Sequence, residues 1–229
     1  MYYYDSTMLI LIPGIILTMF AQWKISATYN KYSKIQCSRG ITGAEVARAL
    51  LNYAGIRDVG VEQVAGKLSD HYDPNAKMVR LSPDIFGGNS IASLSVAAHE
   101  VGHAIQHNQE YSPLNFRSAL VPVANFGSNF SMIFIMAGLF FGIGGSTLLN
   151  IGIILFSATV LFQVVTLPVE FNASDRALEM LEQHHFLQSD EVKGARRVLN
   201  SAALTYVAAT LSAILSLIRL IMIANRNND

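Results

Sequence analysis

Between Ala119 and Pro168 the chain carries no charged side chain. A glycine-rich turn at Gly142–Thr147 divides this stretch into two runs, Ala119–Phe141 and Leu148–Pro168. Each run is close to the roughly 20 residues a helix needs to cross a hydrocarbon core about 30 Å thick. Two further uncharged or nearly uncharged runs flank them, Met8–Trp23 and Leu204–Ala224, the second with Arg219 near its end, where a long side chain can snorkel. Inside hydrocarbon every backbone N–H and C=O must be satisfied by the chain itself, which leaves helices as the structure for such runs. Buried core helices of a soluble protein are the rival, and the length of the runs and their lack of charge argue against it. Composition agrees, since only 14% of the residues are charged, against roughly 25% in an ordinary soluble domain.

The first run is expected to be an uncleaved anchor, with Tyr2-Tyr3-Tyr4 as an interfacial belt. A signal peptide wants a basic start and a small-residue cleavage site. Here Asp5 precedes the run and Lys24 follows it. Four spans put residues 24–117 and 169–200 on one side of the membrane, and these hold 14 of the 16 Lys and Arg residues. The positive-inside rule then makes that side cytoplasmic, carried chiefly by Lys24, Lys31, Lys34 and Arg117 close to the spans. A formal net charge of zero gives no support for a nucleic-acid partner. The single cysteine, Cys37, excludes an internal disulfide framework and any multi-cysteine zinc site, and is expected to be a free thiol without a role.

The polar segments carry local signals. Thr42-Gly43-Ala44-Glu45 reads as a capping box opening a helix Gly43–Ala54 that Gly55 stops. Val59–Ala65 has the composition of a strand. Asp73-Pro74-Asn75 is a turn, and Lys77–Ser82 alternates as a half-exposed strand, a place where a peptide could add as a further strand. Pro83 and Gly87-Gly88 stop that strand. Asn89 or Ser90 can then cap a helix, with Ile91, Leu94, Ala98, Val101 and Ile105 as its apolar stripe.

Inside that helix, over residues 90–109, stands His99-Glu100-Val101-Gly102-His103. Positions i and i+4 share one helix face, so His99 and His103 can reach one metal ion while Glu100 serves as general base to a water beside it. The pattern by itself occurs by chance in many chains, and its helical context strengthens it. A catalytic zinc commonly keeps three protein ligands. Glu170, in Pro168-Val-Glu-Phe-Asn-Ala-Ser-Asp-Arg176, returns to the same side and is expected at the start of a helix just past the proline. His107 is the competitor, but on a continuous helix it lies about 12 Å from His99 by rise. The longer pattern with a third histidine needs a glycine where Gln106 stands and a histidine where Gln109 stands.

The stretches AHEVGHAIQH at 98–107, DHYDPNAKMVRLSP at 70–83 and PVEFNAS at 168–174, in this order among four spans, resemble the YugP-type neutral zinc metallopeptidases of bacterial membranes. The resemblance extends over nearly the whole chain. It implies one Zn2+ held by His99, His103 and Glu170, with Glu100 as the catalytic base. More distantly the chain resembles membrane gluzincins, where an aspartate four residues after the third ligand orients a zinc histidine. Here that position is Ser174, and Asn172, Ser174 and Asp175 all stay open as the orienting group.

The expected fold is α+β and mainly helical: about four transmembrane helices with a small zincin-like catalytic domain holding a β-hairpin and the histidine helix. The expected division is a first span at 1–23, a catalytic part at 24–118, a transmembrane hairpin at 119–168, a second catalytic part at 169–200 and a last span with tail at 201–229. The expected activity is zinc-assisted hydrolysis of a peptide or protein substrate at the cytoplasmic membrane face. His71, Tyr72 and Tyr206 are the candidate oxyanion donors. An intramembrane protease is disfavoured because Asn89, Ser90, Ser93 and Ser95 dilute the run before His99. A zinc-binding scaffold without activity is the alternative from another class, and it has no use for Glu100. A second copy of the chain or a membrane adaptor as partner stays open.

Overall fold

The apolar runs are helices, and each helix extends beyond its run. In the computed structural model, which describes residues 6–228, a 3-10 turn at Ser6–Leu11 leads into α1 (Ile12–Tyr32). The tyrosine belt at residues 2–4 lies outside the described residues. The other long helices are α5 (Ser112–Phe140), α6 (Ser146–Gln183) and α7 (Ser189–Asn228). These four are long and apolar enough to cross a membrane.

One local expectation fails here. Pro168 does not separate a span from a new helix; it sits inside α6. Proline forfeits one helical hydrogen bond and crowds the preceding turn, yet the helix continues on both sides. Glu170 is therefore an interior helix residue and not the first residue past a break. Its carboxylate owes its position to the packing of α6 and not to a helix N-terminus.

The chain divides into two compact units. One comprises residues up to Ala21, Phe116–Leu167 and Thr205 onward; the other comprises Gln22–Asn115 and Pro168–Leu204. In the first unit, α5 and α6 approach until their backbones nearly touch. A Cβ on Gly138 would meet the Leu149 backbone nitrogen at 2.5 Å. Small residues at such crossings let helices exchange dispersion contacts where no hydrophobic force separates them from lipid. Asn125, Asn129 and Asn150 are exposed.

The second unit carries the polar chemistry. α2 (Gly43–Tyr53) opens on the capping box, with the Glu45 N–H donating to Thr42 Oγ1 at 3.3 Å and the Thr42 N–H donating to Glu45 Oε2 at 2.7 Å. A three-stranded sheet follows: β1 (Gly60–Gln63), β2 (His71–Asp73) and β3 (Met78–Leu81), in the order β1-β3-β2. β2 and β3 form the antiparallel hairpin, while β1 pairs with β3 in parallel. β3 is thus the central strand, flanked on both sides, so the Lys77–Ser82 stretch has no free edge to offer a peptide. The hairpin is braced by its own acids: Asp73 accepts from the Asn75 and Ala76 N–H groups, and Asp70 accepts from the Ser82 N–H at 2.7 Å. Ser82 then starts α3 (Pro83–Phe86), a single turn that the proline-glycine signal concealed.

α4 (Ile91–Asn108) is capped by Ser90, whose Oγ accepts from the Ser93 N–H at 3.0 Å. Its stripe of Ile91, Leu94, Ala98, Val101 and Ile105 is buried against a core that includes Val46 and Leu50 of α2, Leu81, Leu181 and Val198. Burying each large side chain is worth about 1.5–3 kcal/mol relative to exposure, so α4 is held on one face by packing. That leaves the opposite face free for polar groups.

Candidate metal centre

The polar face of α4 presents His99 and His103 one turn apart, their rings edge to face with centroids 4.8 Å apart. Glu170 arrives from α6, where its side chain is only 5% exposed. Glu170 Oε2 stands 3.3 Å from His99 Nε2 and 3.7 Å from His103 Nε2. The sequence-expected trio thus converges, with one donor atom from each within 4.8 Å of the others. His107 does not join it. Its Nδ1 is engaged by the Tyr72 hydroxyl at 2.8 Å.

The arrangement fits a zinc ion on two observations. Tetrahedral zinc with bonds near 2.0–2.1 Å needs donors about 3.3–3.4 Å apart, close to the two separations just given. Glu170 Oε2 is also fully buried with no hydrogen-bond partner. Leaving a buried carboxylate oxygen unsatisfied is costly, and a cation among these three groups removes that cost. Burial works against charge on His103, but the Glu170 carboxylate 3.7 Å away and the charge of Glu100 outweigh it and hold its pKa above the usual imidazole value. A metal ion must displace that proton, so binding weakens as pH falls.

The far nitrogens of both rings are held. Ser174 Oγ lies 3.2 Å from His99 Nδ1, and Gln106 Oε1 lies 3.0 Å from His103 Nδ1. Gln106 Oε1 accepts from His103 Nδ1–H, and with the Ser174 hydroxyl oxygen accepting likewise from His99 Nδ1–H, the Nε2 lone pairs turn to Glu170. Of the three open candidates for orienting a histidine, Ser174 takes His99 directly. Asn172 acts one step away, and Asp175 is exposed.

Gln106 went unrecognised in the sequence. It is completely buried, and its amide donates to Val169 O at 2.8 Å and Asn172 Oδ1 at 3.0 Å. Arg176 closes the network, donating to Asn172 Oδ1 and to Gln109 Oε1, both at 2.7 Å. The signal was present: Gln106 is three residues after His103, on the same face, at a position that packing buries. Replacing Gln106 by Leu should weaken zinc binding by about 10–100-fold, the usual cost of losing such a support. Competition with a chelating dye measures it, and unchanged affinity would remove Gln106 from the site.

Gly102 allows the helices to meet. A Cβ there would stand 2.6 Å from the Ala173 carbonyl oxygen of α6. Any side chain would push α6 away and carry Glu170 from the histidines. Glu100 lies beside this contact in sequence. It is 8% exposed, and among the described residues no hydrogen bond holds its carboxylate, which leaves it available to a water or a substrate.

The other polar candidates divide. Tyr72, on β2, is drawn by His107 to the histidine face of α4, one turn beyond His103. His71 is exposed and bonds locally to Ser69 O at 2.7 Å. Tyr206 belongs to the other compact unit.

Comparison with known proteins adds an independent line. Residues 7–225 match the family described as "Putative neutral zinc metallopeptidase". The chain is 46% identical over 218 residues to the "Putative membrane protease YugP" of Bacillus subtilis (strain 168), covering 95% of this chain and 96% of that protein. No solved structure matches the chain.

Proposed function

We propose that this chain, which belongs to the family of neutral zinc metallopeptidases, is a membrane-bound zinc endopeptidase with its active site at the cytoplasmic membrane face. The observation that carries the proposal is the buried, unsatisfied Glu170 oxygen facing the Nε2 atoms of His99 and His103. These three residues would hold one zinc ion in a zincin-like arrangement. When bound, zinc supplies Lewis acidity, polarising a carbonyl oxygen and making a water acidic near pH ~7.

The protein's own groups do the rest. Glu100 takes the proton of the attacking water and passes it to the leaving amine. Ser174 and Gln106 fix the tautomer and orientation of the two imidazoles. Tyr72, its oxygen accepting from His107 Nδ1–H, keeps its own O–H to donate to the developing oxyanion. β2 has no strand partner on its outer edge among the described residues, so an extended peptide could be laid along it, past Tyr72.

The test is cleavage of a soluble reporter peptide by the detergent-purified, zinc-loaded protein. Turnover that a chelator abolishes, zinc restores and a hydroxamate inhibits is the expected result. Zinc bound without any turnover would favour a scaffold. In the same assay Tyr72→Phe should lower kcat by about 10²–10³ with little change in KM, the cost of one lost oxyanion donor; equal turnover would remove Tyr72 from the mechanism.

The cytoplasmic assignment rests on the Lys and Arg distribution between polar segments. A cysteine placed at exposed Lys67 in a Cys37→Ser background should react with an impermeant maleimide only after cells are opened. Labelling of intact cells would reverse the topology.

A further inference from the structure

Within the second unit, α1 and α7 enclose a cleft that the catalytic reading does not use. It has a volume of about 460 Å³ and is lined by Lys24, Ala27, Thr28, Lys31, Tyr32, Arg197 and Asn200. Its lining contains three cations and no carboxylate. The imbalance extends to the flanking turns: residues 22–34 and 192–204 together hold six Lys or Arg and no Asp or Glu. Glu191, just before the α7 stretch, is committed elsewhere, accepting from the Ser38 and Gln188 N–H groups at 2.7 Å.

The cations are gathered and not scattered. Tyr32 is 7% exposed and anchors them: Arg197 Nη1 donates to its hydroxyl at 3.2 Å, and Lys31 Nζ lies 5.5 Å from its ring centroid. Thr28 and Asn200 add uncharged hydrogen-bond donors to the lining. Cations with neutral donors and no acid form a lining suited to a phosphate oxyanion.

The position of the cleft along the two helices indicates the source of that phosphate. On α1 the apolar run ends at Trp23, which is 67% exposed, and Lys24 follows at once. On α7 Asn200 stands four residues before the apolar run that begins at Leu204. Both helices therefore change from polar to apolar at the level of the cleft. In a bilayer that level is the headgroup region, where basic pockets between helices hold anionic lipid.

We propose that this cleft binds the phosphate of an anionic phospholipid headgroup, with Lys31 and Arg197 as its principal cations. The proposal rests on the membrane character of the chain and not on peptide hydrolysis. Phosphatidylglycerol held there would tie α1 to α7 at the membrane border.

The full-length protein in phosphatidylcholine nanodiscs with a minor share of phosphatidylglycerol provides the test, with retained lipid counted by native mass spectrometry. The unsubstituted protein should retain one phosphatidylglycerol that phosphatidylcholine does not replace. Lys31→Gln and Arg197→Gln should each weaken retention about fivefold, and together about 25-fold, as expected for cations near an anionic surface. Lys67→Gln, which removes an exposed charge outside the cleft, should leave retention unchanged. A second arm titrates inorganic phosphate and should not displace the lipid at millimolar concentration. Displacement with the same dependence on Lys31 and Arg197 would overturn the lipid assignment in favour of a soluble phosphate. Retention equal in all five proteins would overturn the site.

Discussion

Glu100→Gln should leave zinc bound and remove peptide hydrolysis. The amide has nearly the shape of the carboxylate, so the packing of α4 around residue 100 is preserved. It cannot take a proton from water, however. General-base catalysis contributes about 10²–10⁴ in rate, which corresponds to roughly 3–5.5 kcal/mol of transition-state stabilisation. Because Glu100 stands outside the converging trio, metal content should match that of the unsubstituted protein. The fall should appear in kcat, with peptide affinity retained. Zinc analysis alongside turnover separates this from loss of the site. Retained cleavage would refute the assignment of the base, and loss of zinc would mean that Glu100 contributes to binding.

Glu170→Gln should have the opposite signature: turnover disappears because zinc is lost. The substitution keeps the volume at a 4% exposed position and removes the charge that faces two imidazoles. Structural zinc sites in small peptides bind with apparent free energies of about 10–16 kcal/mol. Losing one anionic ligand should cost about 3–4 kcal/mol of that, or roughly 10²–10³ in affinity. Metal analysis after dialysis against a weak chelator should find zinc in the unsubstituted protein and little in the variant. A far-UV spectrum unchanged between the two would show that the helices survive. Zinc retained at full affinity would place the third ligand elsewhere.

Most of what is periodic was legible in the residues alone. The uncharged runs declare their helices, Ser90 and the Thr42–Glu45 pair declare two helix starts, and Asp73-Pro74-Asn75 declares the hairpin. The imidazole pair was legible because i and i+4 share a face whatever surrounds them. What escaped depends on partners far along the chain. β3 is central because β1 joins it in parallel, and no property of Lys77–Ser82 announces that neighbour. Gln106 is polar where α4 is buried, which makes sense only with Val169 and Asn172 opposite it.

Pro168 misled for a different reason. Locally a proline ends a helix, but α6 is apolar before it and packed against α4 after it. Both neighbouring stretches gain more by remaining helical than the single lost bond costs. Glu170 was therefore anticipated as a ligand on a mistaken local ground: its carboxylate reaches the histidines because Gly102 lets α6 lie against α4.

A zinc-edge anomalous difference map of the zinc-loaded protein tests the central claim most directly. The account expects a single peak about 2.0–2.2 Å from His99 Nε2, His103 Nε2 and a Glu170 oxygen. A peak bound by His107, or one that Glu170 does not touch, would contradict it.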